Sequence, residues 1–136
     1  MDAVQALADL TEISSQIEAA VLFAEDGTVE GSTLADESAA AELARGALEL
    51  LEGAAGFRSD GGTVTQLEAS TPEGSVFVVR SDSGGIVAVT APQPTVGLVF
   101  YDLKSALRSA AEAEPAKPKS RRRTAANAEE GNGDAA

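Results

Sequence analysis

Apolar residues change their spacing several times along this chain, and each change marks an element. Val4, Leu7 and Leu10 recur every three residues, which predicts a short amphipathic helix from Asp2 to about Ser14 with Asp2 at its positive end. Ala19 to Ala24 is apolar without alternation, the pattern of a strand buried on both faces. Glu25-Asp26-Gly27 then supplies a tight turn whose Gly tolerates positive φ, and Thr28 to Leu34 returns as a second strand. Asp36 stands where it caps a helix from Glu37 to about Ala55, closed by the Gly53 to Gly56 region. Three further strands follow, Thr63 to Ser70, Ser75 to Arg80 and Ile86 to Ala91. Their connections, Thr71-Pro-Glu-Gly74 and Ser81-Asp-Ser-Gly-Gly85, carry hairpin chemistry, so the three form an antiparallel meander. The Thr-rich strand suits a sheet edge and the apolar one at Ile86 suits the centre. Pro92 and Pro94 end the sheet, and Thr95 caps a last helix from Val96 to about Ala111. Val96, Val99, Leu103, Leu107 and Ala110 line one face of it, with Phe100 and Ala106 alongside, and Lys104 and Arg108 lie toward its negative end. From Glu112 the apolar periodicity stops. Residues 1–111 are therefore expected to be one α+β domain and residues 112–136 a disordered tail rich in Ala, Pro, Lys and Arg.

The middle helix is more apolar than a single sheet requires. At 100° per residue, Leu43, Ala47, Leu50 and Ala54 make one stripe, and Ala44, Leu48, Leu51 and Ala55 its neighbour. Glu42, Arg45, Glu49 and Glu52 gather opposite. The apolar face spans roughly 140°, against a minimum of about 100° for a helix lying on one surface. At its edge Ala39, Gly46 and Gly53 recur every seven residues, a ridge with almost no side chain. Each interior Gly costs about 1 kcal/mol of helix propensity relative to Ala. Either a second helix packs closely there, or Gly46 is tolerated and Gly53 belongs to a fraying end.

The chemistry available to this chain is narrow. It has no Cys and no His, so it lacks a thiolate, a disulfide, the usual general base and the commonest transition-metal ligand. Net charge is −12. Residues 1–111 hold five basic groups (Arg45, Arg58, Arg80, Lys104, Arg108) against 17 acidic ones, so that charge sits wholly in the folded part; the tail is balanced. Such a body repels nucleic acid and anionic membrane, and its acidity either steers it to basic partners or only keeps it soluble. No apolar run approaches the roughly 20 residues that cross a bilayer, and MDAVQALADL lacks a signal-peptide core, which points to the cytoplasm. The Gly-rich segments Ser59-Asp-Gly-Gly62 and Ser81 to Gly85 lack the Lys-Ser/Thr ending of a phosphate-binding loop and read as turns. Asp26, Asp60 and Asp82 fall in separate loops without the alternating oxygen ligands of a calcium site, so no metal and no cofactor is expected. Arg45, Arg58 and Arg80 each read as balancing nearby acids. In the tail, Lys117, Lys119 and Arg121-Arg122-Arg123 before Thr124 form a basic cluster without an aromatic residue for base stacking, read as a solvated tail or as contacting the acidic body.

Helix, two strands, helix, three strands, helix, with the hairpin IEAAVLFAEDGTVEGSTL and the closing helix PTVGLVFYDLKSALRSAAE, resembles the Roadblock (dynein light-chain) family over about residues 1–111. Profilin-like and PAS-like sensor domains share the general layout. The resemblance implies one five-stranded antiparallel sheet with the middle helix on one face and the terminal helices on the other. It also implies a homodimer joined through the middle helix and the strand after it. The residues placed there are Ala39, Leu43, Gly46, Ala47, Leu50, Gly53, Thr63, Thr65 and Leu67. Its prokaryotic branch implies a non-enzymatic regulator or scaffold that binds a Ras-like small GTPase and reshapes the GTPase's own switch regions. The other readings are a passive dimeric adaptor and a small-ligand sensor of profilin-like or PAS-like shape.

Overall fold

The structure is a computed structural model that describes residues 2–57 and 63–112. Three helices and a five-stranded antiparallel sheet follow in the expected order: α1 (Ala3–Ile13), β1 (Ile17–Ala24), β2 (Val29–Ser32), α2 (Glu37–Ala55), β3 (Gln66–Thr71), β4 (Gly74–Ser81), β5 (Gly84–Thr90) and α3 (Val96–Glu112). Across the sheet the strands run β2-β1-β5-β4-β3. The apolar strand β5 is thus central and β3 is an edge.

Two hydrophobic layers sandwich the sheet. Because strand side chains alternate, Val21, Phe23, Val78 and Val87 face α2 and meet its inward row Ala40, Ala44, Ala47 and Leu51. Ala20, Leu22, Phe77, Val79, Ile86 and Ala88 face the other way, against Ala6, Leu7 and Leu10 of α1 and Val99, Leu103, Ala106 and Leu107 of α3. Phe77 and Phe100 meet edge to face, with ring centres 5.0 Å apart. β1 is buried on both faces from Ala20 to Phe23, which explains its lack of alternation there.

Local chemistry sets the boundaries. Asp2 caps α1 by accepting from the Gln5 N–H at 2.8 Å, and Asp36 caps α2 by accepting from the Ser38 N–H at 2.9 Å. In the first turn the Ala24 N–H donates to the Thr28 carbonyl and the Gly27 N–H to the Ala24 carbonyl. Gly27 takes φ +93° there, with Leu48 Cδ1 3.0 Å from where a Cβ would stand. β2 is shorter than the pattern predicts, because after Ser32 the Ala20 N–H is taken by the Thr33 hydroxyl at 2.9 Å rather than by backbone. β4 and β5 are joined by two residues, Asp82 and Ser83, with Ser81 opposite Gly84.

Several expected positions move. Val4 is 71% exposed, because α1 buries Ala6, Leu7 and Leu10 and turns Val4 to solvent. Val96, at the first turn of α3, is 40% exposed. β3 begins at Gln66, not Thr63: its ladder opens at Gln66 opposite Val79, while Thr65 contributes only its carbonyl, to the Arg80 N–H. α2 ends on Gly56 at φ −65°, through Gly56 and Phe57 N–H groups bonded three residues back, so no left-handed glycine closes it. The last helix runs through Glu112, and the tail assigned to disorder otherwise lies outside the described residues, as do Arg58, Ser59 to Gly62 and Asp60.

Candidate functional site

The wide apolar face of α2 is only partly used by the sheet. Ala44 and Leu51 are fully buried, Ala40 and Ala47 nearly so. Leu43 is half-buried, and Leu50, on the same stripe, is 41% exposed. A Cβ added at Gly46 or Gly53 would have no atom within 4 Å. The ridge of small residues therefore faces outward, beside Leu50, and no described residue packs on it. Phe57 extends this apolar surface past the helix end at 89% exposure. Of the residues read from the sequence as an interface, Ala47 is buried in the core, at 2% exposure, and Leu43 and Leu67 pack against that core while half-buried.

The neighbouring sheet edge is open as well. β3 pairs with β4 and no other described strand. Since the Arg80 N–H bonds to the Thr65 carbonyl and the register is regular, Leu67 and Ala69 spend their backbone groups on β4. Gln66, Glu68 and Ser70 turn theirs outward. Leu67 packs beneath α2, half-buried, whereas Thr63 and Thr65 are exposed just ahead of the strand. Apolar helix ridge and unpaired edge thus lie on adjoining sides of the molecule, both able to receive another chain.

Charged groups act as braces. Arg80, read as balancing acids, instead donates from Nη2 to the Val64 carbonyl at 2.9 Å and ties the segment before β3 to β4; its Nε is buried without a partner among the described residues. Arg45 stays on the exposed side of α2. Asp26 accepts from the Thr28 N–H at 3.0 Å, and the Thr28 backbone and hydroxyl hold its carboxyl below the usual aspartate range. Asp82 sits in its two-residue turn. Among the described residues no three His, Cys, Asp or Glu side chains converge as a metal would need. Sequence reasoning overlooked Phe57, Ile13 and Tyr101, which are strongly exposed; large apolar residues at helix ends and off the buried stripe were the available signal.

The family model of the Roadblock/LC7 domain matches residues 4–91, from α1 through β5. The chain belongs to the Roadblock/LC7 domain family. Solved structures carry the likeness further, into α3. A Roadblock/LC7 domain from Streptomyces avermitilis is 22% identical, with a TM-score of 0.73, over 82% of this chain and 97% of that one. The gliding protein MglB from Thermus thermophilus is 17% identical, with a TM-score of 0.62, over 81% of this chain and 86% of that one. LokiProfilin1, solved with rabbit actin, aligns at 12% identity and a TM-score of 0.55, over 79% and 93%. At these identities the likeness is one of fold, and the Roadblock/LC7 assignment rests on the family model. No curated protein sequence matches the chain.

Proposed function

We propose that this Roadblock/LC7 domain is a non-catalytic regulatory subunit of the cytoplasm that pairs with a second copy through the outer face of α2 and the edge of β3, and binds a Ras-like small GTPase. The observation that carries the reading is the uncovered ridge at Gly46 and Gly53, with Ala39 half-buried in line with it and Leu50 exposed beside it, next to a sheet edge with free backbone groups. Two copies related by a twofold axis cover both features at once: glycines allow helix backbones to approach, and β3 continues the sheet into its partner. Regulation then comes from differential affinity. A subunit that binds one conformation of the GTPase switch regions more tightly shifts the population toward it, and no reacting group is needed on this chain.

Sedimentation of the protein and of Gly46→Leu tests the pairing. The Leu has open space in one protomer, so the variant is expected to fold and to self-associate more weakly; equal association, or a monomeric parent, overturns the assignment. For the partner, GTP hydrolysis and complex formation are measured with small GTPases of the same organism in each nucleotide state. A complex with altered hydrolysis supports the reading, and a complex without it makes the protein a passive adaptor. No complex with any state refutes it. A ligand-sensing role is less favoured, because both layers beside the sheet are filled by packed side chains.

A further inference from the structure

On the face away from α2, a groove of about 270 Å³ runs between α1 and α3. Ile13 and Tyr101 rim it, 73% and 67% exposed, and Asp9 and Asp102 line it. Asp102 is only 7% exposed, yet bonds to no other described side chain. A carboxylate so placed favours a cation, and an exposed tyrosine ring offers its face to a guanidinium. Lys104 and Arg108 belong to a different groove on the opposite flank of α3, so the α1–α3 groove holds carboxylates and no cation among the described residues.

The chain carries a matching segment. Lys117, Lys119, Arg121, Arg122 and Arg123 put five cations within seven residues, and they follow closely on the helix that forms one wall of the groove. Asp102 lies about 15 Å back along α3 from Glu112 at 1.5 Å per residue. Five residues of extended chain reach about 17 Å, so Lys117 comes level with Asp102 and the three arginines have reach to spare. Tethering by so short a connection gives an effective concentration on the order of millimolar, enough to hold a weak contact.

We propose that the basic segment Lys117–Arg123 folds back onto the α1–α3 groove of its own chain, placing cations on Asp9 and Asp102 and covering the Tyr101 ring. A strongly acidic or anionic partner would release the contact by competing for the arginines. It is independent of pairing through α2, which lies on the other side of the sheet.

Tyr101 is the sole tyrosine and there is no tryptophan, so intrinsic fluorescence of the full chain reports on this groove. Acrylamide, a neutral quencher, is titrated against the parent, against a variant with Lys117, Lys119 and Arg121 to Arg123 all changed to Glu, and against Asp9→Lys. Covering in the parent is expected to be lost in both variants, raising the quenching constant about twofold as the tethered segment leaves. In 1 M salt, where the screening length is about 3 Å, the parent is expected to behave like the variants. Equal quenching in parent and variants overturns the proposal. So does an equal effect from Glu73→Lys, on the distant β3–β4 turn, which would mean diffuse attraction to the acidic body. Protection that fades on dilution would assign the groove to the tail of another copy, and likewise overturn it.

Discussion

At the residue scale, two positions in the turns are fixed by geometry rather than by burial of side chains. A Cβ at Gly84 would collide with the Phe23 carbonyl, because β5 crosses β1 there at φ +153°. Gly84→Ala is therefore expected to destabilise the domain by about 1–3 kcal/mol, the usual cost of forcing a side chain into such a backbone, read as a lower urea midpoint with unchanged slope. The first hairpin is latched differently, by the Asp26 carboxylate accepting from Thr28. Its folded pKa is lowered, so the contribution is present above the ordinary aspartate pKa and disappears as pH falls through the lowered value. Protection of the Thr28 amide, its exchange relative to an unstructured amide at the same pH, is expected to fall across that acid window in the parent. Asp26→Ala should show the low protection already at neutral pH and lose the acid step.

At the element scale, β3 separates backbone that is spent from backbone that is free. Glu68 stands opposite Phe77 in a pair that exchanges no hydrogen bonds, so its N–H points away from β4. Replacing it by Pro removes no backbone bond within the protomer and only the exposed side-chain bond from the Ser70 hydroxyl, but places a ring on the edge where a second β3 would add. Glu68→Pro is expected to keep the circular dichroism spectrum and lose self-association in sedimentation. Loss of folding together with association would show that the edge is needed within one chain. The same strand shows what could be read beforehand. Its position at the edge was legible, since Thr, Gln, Glu and Ser on one side of a strand suit a half-solvated place. Its start was not, because Arg80 reaches across sixteen positions to hold Val64, a contact that no local pattern encodes. α2 was legible from end to end, since Asp36 and the glycines punctuate a strongly periodic run. Which half of its broad apolar face the sheet would take was not: Leu43 and Leu50 have the same spacing as Ala44 and Leu51, and only packing against Val21, Val78 and Val87 chooses between them. Val4 failed for a related reason, since α1 turns Ala6, Leu7 and Leu10 inward and leaves Val4 to solvent, and Val96 stays 40% exposed at the first turn of α3.

At the scale of the whole molecule, the proposed pairing would link stability to assembly. The acidic side chains and the net charge of −12 make like copies repel at long range, while the small-residue ridge of α2, Leu50 and Phe57 supply apolar surface that attracts at contact. Salt screens the first and leaves the second nearly untouched. A dimer held in this way is expected to tighten as ionic strength rises from about 0.01 M to 0.15 M, over which the screening length falls from about 30 to 8 Å. Because only folded chains would enter the proposed pair, the melting temperature should rise with protein concentration, and the rise should vanish in Gly46→Leu and Glu68→Pro if both act on one interface. Scanning calorimetry across a hundredfold range of concentration reads this directly. A melting temperature independent of concentration in the parent would mean that the α2 face is left uncovered by a second copy and is free for another protein.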